Sequence, residues 1–287
     1  MYRRHWKGLS SIMSTYNIAL CFYGEARNWQ VGGETIKKFH NLSKDKFNVD
    51  VYCHLWDNIT RRSKNIRDLI KRNASLDDIC VVHSKLQHKE LLDTYNPVAY
   101  KIENKEVLDY YVDKFKSSNE YMTCEEYKLA IKYSNTPCFS QLYSTWQSFD
   151  IILNKEKYDL IIILRTDCLF DDKSVIDKTL QFYCQYITQR NSLLVERMSF
   201  VPAKKEAWLY IGYMLGNSTV FNTLFEDFPK IPIGMGQYPG WDWRGSSHAE
   251  MANYILNYTN VSRVWPILVR SHPWFVGKYK QFKLEKL

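Results

Sequence analysis

The run Leu160-Ile161-Ile162-Ile163-Leu164 limits more than any other feature what this chain can become. Along a strand, successive side chains point to opposite faces. An unbroken apolar run therefore has no face to give to water, and it fits an inner strand of a mostly parallel sheet clad by helices on both sides. The run ends abruptly in Arg165-Thr166-Asp167, which sets an arginine and an aspartate two residues apart at the carboxyl end of a buried strand. In open α/β sheets ligands bind beyond those strand ends. Two readings fit the pair at this stage: a ligand shelf, or an ion pair that Arg165 and Asp167 make with each other.

The rest of the chain supplies the elements such a strand needs. "NIALCFYGEARNW" (17–29) reads as a strand running into a glycine-containing turn, and "GETIKKFHNLSKD" (33–45) as a short amphipathic helix. "NVDVYCHLWDN" (48–58), "DICVVHS" (78–84) and "VAYKIEN" (98–104) read as strands, with a basic helix at about 62–73 and a helix "KLQHKELLDTY" (85–95) between them. Residues 105–136 are polar and tyrosine-rich, and "SQLYSTWQSFDIILNKEKY" (140–158) predicts a helix feeding straight into the apolar run. Later segments predict strands at 191–198 and within 207–221, a helix at 219–228, a Gly-, Pro- and Trp-rich loop at 229–247, a helix at 248–259 and a strand at 261–272. Alternation of this kind predicts an α/β fold with a mostly parallel central sheet flanked by helices. With no internal repeat or evident linker, 1–287 reads as one domain of two halves, 17–170 and 171–287, the first of them nucleotide-binding.

Composition narrows the function. At 45% hydrophobic and 15% aromatic, 287 residues can bury a sizeable core. The formal charge of +8 suits an anionic partner, yet 31 acids lie among 39 bases, so the excess is thin. Seven cysteines without a CxxC, several inside strand-like runs, read as small hydrophobes in a reducing compartment, so the expected location is cytoplasmic. The stretch ahead of the first strand is too weakly apolar for a signal peptide, no run has the length of a membrane span, and the six N-x-S/T sequons read as chance in an Asn-rich chain.

"IALCFYGEARNW", "VDVYCHLWDN", "YDLIIILRTDCLF", "LGNS" and the late "HAE" before a helix together resemble GT-A-type glycosyltransferases of viral and bacterial polysaccharide-building gene sets, nearest to a chlorovirus-type xylosyltransferase. Such a location would be the host cytoplasm if the source is viral. The resemblance covers most of the chain in element order and implies a UDP-sugar donor, a glycan acceptor and a divalent metal held by a D-x-D motif. It also implies a carboxylate base at the start of a late helix, inversion at the anomeric carbon, and a C-terminal metal-binding histidine. On this chain the D-x-D position falls on "RTD": Asp167 matches the second acid and Arg165 replaces the first. His272 in "VRSHPW" stands at the position of the late histidine, where imidazole would favour Mn²⁺ over Mg²⁺; an ordinary turn histidine before Pro273 fits equally. Glu250 begins a helix as the family's base does, and is favoured over Asp242, which Trp241 and Trp243 flank; plain capping of that helix N-terminus is the other reading of Glu250.

For the donor, Gly24 would let the backbone come near a nucleotide, Glu25 and Arg27 stand beside it, Arg27 can reach phosphate, and Asp57 would accept from the N–H of a uracil. The same residues fit a turn and a solvated ion pair. His54, His83, His88 and His248 have no spacing that closes a zinc site and read as structural. Two rival classes share parts of this chemistry. A metal-dependent nuclease or phosphotransferase would need a denser acid cluster than "RTD". A nucleic-acid-binding module would rest on "RSKNIRDLIKRN", whose Ile66, Leu69 and Ile70 fit a solvated amphipathic helix better, so no nucleic-acid partner is expected. The oligomeric state has no signature.

Overall fold

The computed structural model describes residues 15–26, 28–42, 44–60, 81–83, 85–114, 138–168, 173–191, 193–201 and 206–226. Its strands are β1 (Tyr16–Glu25), β2 (Phe47–Trp56), β3 (Asn58–Thr60), β4 (Val81–His83), β5 (Ala99–Glu103), β6 (Leu160–Arg165), β7 (Leu194–Val201) and β8 (Glu206–Gly216). The helices are α1 (Trp29–His40), α2 (Lys85–Tyr95), α3 (Val107–Lys114), α4 (Cys138–Asp150), α5 (Lys173–Arg190) and α6 (Ser218–Phe225), with a 3₁₀ turn at Lys155–Lys157.

Six strands form one sheet in the order β5-β2-β1-β6-β8-β7, and β3 pairs antiparallel with β4 as a separate ribbon. The four strands β5, β2, β1 and β6 run parallel, while β8 is antiparallel to both β6 and β7. The apolar run lies where its composition demands: Leu160 to Leu164 are all 0% exposed, between β1 on one side and β8 on the other. Each such side chain contributes on the order of 1.5–3 kcal/mol by leaving water.

From β1 the chain steps outward through β2 to β5, then returns to β1's other side as β6. Because crossovers between parallel strands are right-handed, connections heading in opposite directions must cover opposite faces. The packing obeys this. Ile36 and Phe39 of α1 and Leu91 and Tyr95 of α2 pack on one face with Ile18, Leu20, Phe22, Ile162 and Leu164. Leu142, Tyr143 and Phe149 of α4 pack on the other with Ala19, Cys21, Tyr23, Ile161 and Ile163. The α/β fold class expected from the sequence, a mostly parallel central sheet flanked by helices, is the one observed.

Three local expectations shift. Helix α1 starts at Trp29, four residues before the predicted start, and takes Gly32 and Gly33 inside it. The glycines allow close packing: a Cβ on Gly32 would collide with the Tyr95 hydroxyl and the Thr166 carbonyl. Helix α4 stops at Asp150 rather than running into β6, and a 3₁₀ turn at Lys155–Lys157 intervenes. The segment 207–221 is one long strand followed by α6, whose N-cap Asn217 accepts from the Val220 N–H at 3.0 Å. The predicted basic helix at 62–73 and everything from 227 onward lie outside the described residues.

Four cysteines, Cys21, Cys53, Cys168 and Cys184, are buried free thiols. Burial raises the pKa of Cys21, Cys53 and Cys184, and they behave as the small hydrophobes expected. The two adjacent helix glycines make a direct test of the packing. Gly32→Ala is expected to destabilise by about 1–3 kcal/mol through overpacking. Gly33→Ala, whose Cβ would meet the Thr94 methyl at 3.2 Å, should be near neutral, because a side-chain methyl can yield and alanine favours helix. Chemical denaturation of both variants reads the difference, and equal effects would contradict the close approach of α1 to Thr166.

Candidate functional site

The strand order reverses between β1 and β6, so the crevice outside their carboxyl ends is where this architecture leaves room for a ligand. Sheet pairing there ends with Tyr23 opposite Arg165. Just beyond, Gly24 has φ +108°, a conformation that side chains rarely adopt, and open space where a Cβ would stand. Arg165 is one-quarter exposed and donates from Nη2 to Oδ2 of Asp167 at 2.6 Å, while Asp167 is buried. Burial works against the guanidinium charge, but Asp167, with Tyr23 and Cys168, outweighs it and holds Arg165 firmly protonated. The ion pair anticipated as one reading of "RTD" therefore forms, and it forms at the switch point.

A second charged pair adjoins it. Lys105, two residues past β5, extends across the Trp56 ring, 6.0 Å from its centroid, and meets Glu25 Oε1 at 2.5 Å; both side chains are buried. Sequence reasoning noted Glu25 and missed Lys105. Eighty residues separate the partners, and "NKEV" carries no pattern that sets a buried lysine apart from a solvated one. A buried ion pair is a costly way to gain stability, because desolvation offsets most of the attraction, and Glu25 and Lys105, exposed by 3% and 1%, make such a pair.

Asp57 follows β2 and donates its backbone N–H to the Glu103 carbonyl at 2.9 Å. It lines a cavity of about 720 Å³ between α2 and β5, shared with His88, Leu92, Asp93, Tyr100 and Ile102. The ring of His88 is fixed by a bond from Nε2 to the Trp56 carbonyl at 2.9 Å. Burial lowers its pKa, so it is a neutral donor there. Beside Asp57, Asn58 Oδ1 is buried without a hydrogen-bond partner.

His54 belongs to a third cluster. The Ser144 hydroxyl lies 2.7 Å from His54 Nδ1, and His54 Nε2 lies 2.9 Å from Glu103 Oε2, whose other oxygen takes Lys101 at 2.8 Å. The order serine, histidine, glutamate is that of a hydrolytic triad. Ser144 and His54 are both 0% exposed, so no substrate reaches them, and the cluster ties β2, β5 and α4 together. Burial lowers the His54 pKa, which fits a neutral ring donating from Nε2 and accepting from Ser144. Reading His54 and His88 as structural agrees with these bonds.

The structure places Gly24, Arg165 and Asp167 at the carboxyl ends of β1 and β6, and Asp57 at the same edge of the sheet, lining the separate cavity. Arg27, Asp242, Glu250 and His272 lie outside the described residues. Among the described residues no group of three or more His, Cys, Asp and Glu side chains is placed to hold a metal ion, and no helix is long and apolar enough to cross a membrane.

What these elements define is an α/β domain with two charged pairs at the carboxyl ends of its parallel strands, and a cavity beside Asp57 that neither pair lines. No protein-family model matches the chain, and no curated protein matches it. Among solved structures it is similar to the mannosyltransferase PcManGT from Pyrobaculum calidifontis in complex with GDP-Man and Mn²⁺, at 6% identity and a TM-score of 0.39 over 93% of this chain; the chain spans 60% of that protein's length. It is also similar to mouse xyloside xylosyltransferase 1 in its apo form, at 11% identity and a TM-score of 0.38, over 86% of this chain and 84% of that one.

The buried cluster sets an expected pH dependence. Burial alone would raise the Glu103 pKa; the bonds from His54 and Lys101 override it and hold the carboxyl down at about 2. A depressed carboxyl contributes stability above its ordinary value of 4.5 that is lost as pH falls toward 2. His54, also depressed, begins to cost stability earlier, as pH falls through its ordinary 6.5. Denaturant unfolding from pH 8 to pH 2 is expected to show stability falling in both windows, and Glu103→Gln should flatten the lower one. An unchanged acid slope in Glu103→Gln would contradict the network.

Proposed function

We propose that the chain is a glycosyltransferase that moves a sugar, xylose in the nearest reading, from a UDP-sugar to a glycan acceptor, with inversion. The observation that carries this is Arg165, a protonated guanidinium held at the carboxyl end of a central strand, at the switch point and opposite Tyr23, the residue before Gly24 on the neighbouring strand. The resemblance of "RTD" and its flanking strands to GT-A-type enzymes supports the same reading.

The roles follow from the chemistry. When the bond between anomeric carbon and diphosphate breaks, negative charge builds on the leaving oxygens, and a fixed cation that balances it lowers the barrier. Arg165 supplies that cation through a planar fork whose orientation Asp167 sets. Gly24 lets the diphosphate approach the backbone, Arg27 adds a second phosphate donor, and Asp57 accepts from the N–H of the base. Glu250, ahead of Asp242, takes the proton from the acceptor hydroxyl as it attacks the sugar. A divalent cation, Mn²⁺ or Mg²⁺, would add charge balance at Asp167 with His272. Among the described residues Asp167 belongs to no group of three or more His, Cys, Asp and Glu side chains that could hold a metal, and one of its oxygens is bound by Arg165, so the charge balance falls first to Arg165.

Thermal shift over a panel of nucleotides, with and without Mn²⁺, is expected to show stabilisation by UDP; at a hundredfold excess over Kd it amounts to about 2.7 kcal/mol. Arg165→Ala should weaken UDP binding by about tenfold or more, the size of a lost charge-assisted bond. Glu250→Gln should abolish transfer and leave UDP affinity intact. Salt-sensitive binding to RNA or DNA with no response to any nucleotide would reject the proposal, and weakened UDP binding in Glu250→Gln would move that residue out of the base role.

A further inference from the structure

We propose that Thr166, the middle residue of Arg165-Thr166-Asp167, is a positioning residue that fixes the Arg165–Asp167 shelf by clamping the end of β6 to the end of β1. The inference rests on the reading of that shelf as the donor site.

Sheet pairing between the two strands stops at Tyr23 and Arg165, so Thr166 is the first residue that the ladder no longer holds in register. Its polar groups take over that task. The backbone N–H reaches the Tyr23 carbonyl at 3.4 Å, and the hydroxyl donates to the Glu25 carbonyl at 2.7 Å, both across to β1. Its own carbonyl accepts from the Tyr95 hydroxyl at 3.1 Å, and that hydroxyl also lies 2.7 Å from the Trp29 carbonyl at the start of α1. The residue is buried, and Gly32 of α1 comes so close that no side chain fits between them.

Three elements thus converge on one threonine. The side chains on either side of it are the two that make the shelf. Glu25, whose carbonyl receives the hydroxyl, is itself anchored by Lys105, so the clamp ends on a fixed point. Threonine meets both demands of the position: a hydroxyl that spans to β1, and a branched Cβ that suits a strand end. Valine keeps the shape and loses the donor, leaving the buried Glu25 carbonyl one bond short.

The test uses Thr166→Val and Thr166→Ser in the full chain, with two readouts: amide hydrogen exchange at 165–168, and UDP affinity. Thr166→Val is expected to speed exchange in that stretch and to weaken UDP binding by about three- to tenfold, the value of one neutral hydrogen bond. Thr166→Ser, which keeps the hydroxyl, should restore both. Tyr95→Phe removes the hydroxyl bond to the Thr166 carbonyl and should shift exchange in the same direction if Thr166→Val fails to fold. Thr166→Val that lowers Tm yet leaves UDP affinity intact would overturn the positioning role, as would a serine variant that behaves like valine. Exchange needs no ligand: faster exchange in a protein whose wild type binds no nucleotide would uphold the clamp and reject the donor-site reading, and unchanged exchange would reject the clamp.

Discussion

The pairing of β1 with β6 is the constraint from which the candidate site follows. It runs in register from Ile18 opposite Leu160 to Tyr23 opposite Arg165, inside the core up to the partly exposed Arg165 itself. A one-residue slip would turn Arg165 toward the face of α1 and α2, into the tight packing of Phe22, Leu164 and Tyr95. The charged end of the run, rather than its uniformly apolar body, therefore distinguishes the two faces, and the observed register delivers a guanidinium to the carboxyl edge on the α4 side. Because β2 and β5 lie on one side of β1 and β6 on the other, the same pairing creates the reversal of strand order at which open α/β sheets take ligands.

Charges placed at such an edge need neutral surroundings, and the chain supplies them in pairs. Arg165 takes Asp167 and Lys105 takes Glu25. Removing one partner of a buried pair costs about 3–5 kcal/mol, whereas replacing both by apolar residues is often neutral. These pairs thus contribute little net stability but fix where charge lies, which suits a site where a phosphorylated ligand is to be met by preorganised donors. The buried Ser144–His54–Glu103 cluster shows the contrast. Its bonds follow the order of a catalytic triad, and its complete burial makes it a joint between β2, β5 and α4.

Legibility in the sequence followed the range of the interactions. The apolar run of β6 and the 3.6-residue period of "KLQHKELLDTY", which matches α2 from Lys85 to Tyr95, are local signals and were readable. The start of α1 was misplaced because glycine has low intrinsic helix preference, and only the tertiary approach of Tyr95 and Thr166 accounts for Gly32 within it. Arg165 and Asp167 were legible as a pair by their spacing. Lys105 with Glu25, and His54 with Ser144 and Glu103, were not, since they join residues 49 to 90 positions apart by side-chain bonds that leave no periodic trace. Of the residues assigned to acid–base and metal chemistry, only Asp167 falls within the described structure.

The account stands on the crevice between β1 and β6 being the donor site. A crystal of the full chain soaked with a UDP-sugar and Mn²⁺ tests that most directly. The expected map places the diphosphate within hydrogen-bond reach of the Arg165 guanidinium and the Gly24 backbone, with the base toward Asp57. Nucleotide bound elsewhere, with Arg165 and Gly24 untouched, would contradict it.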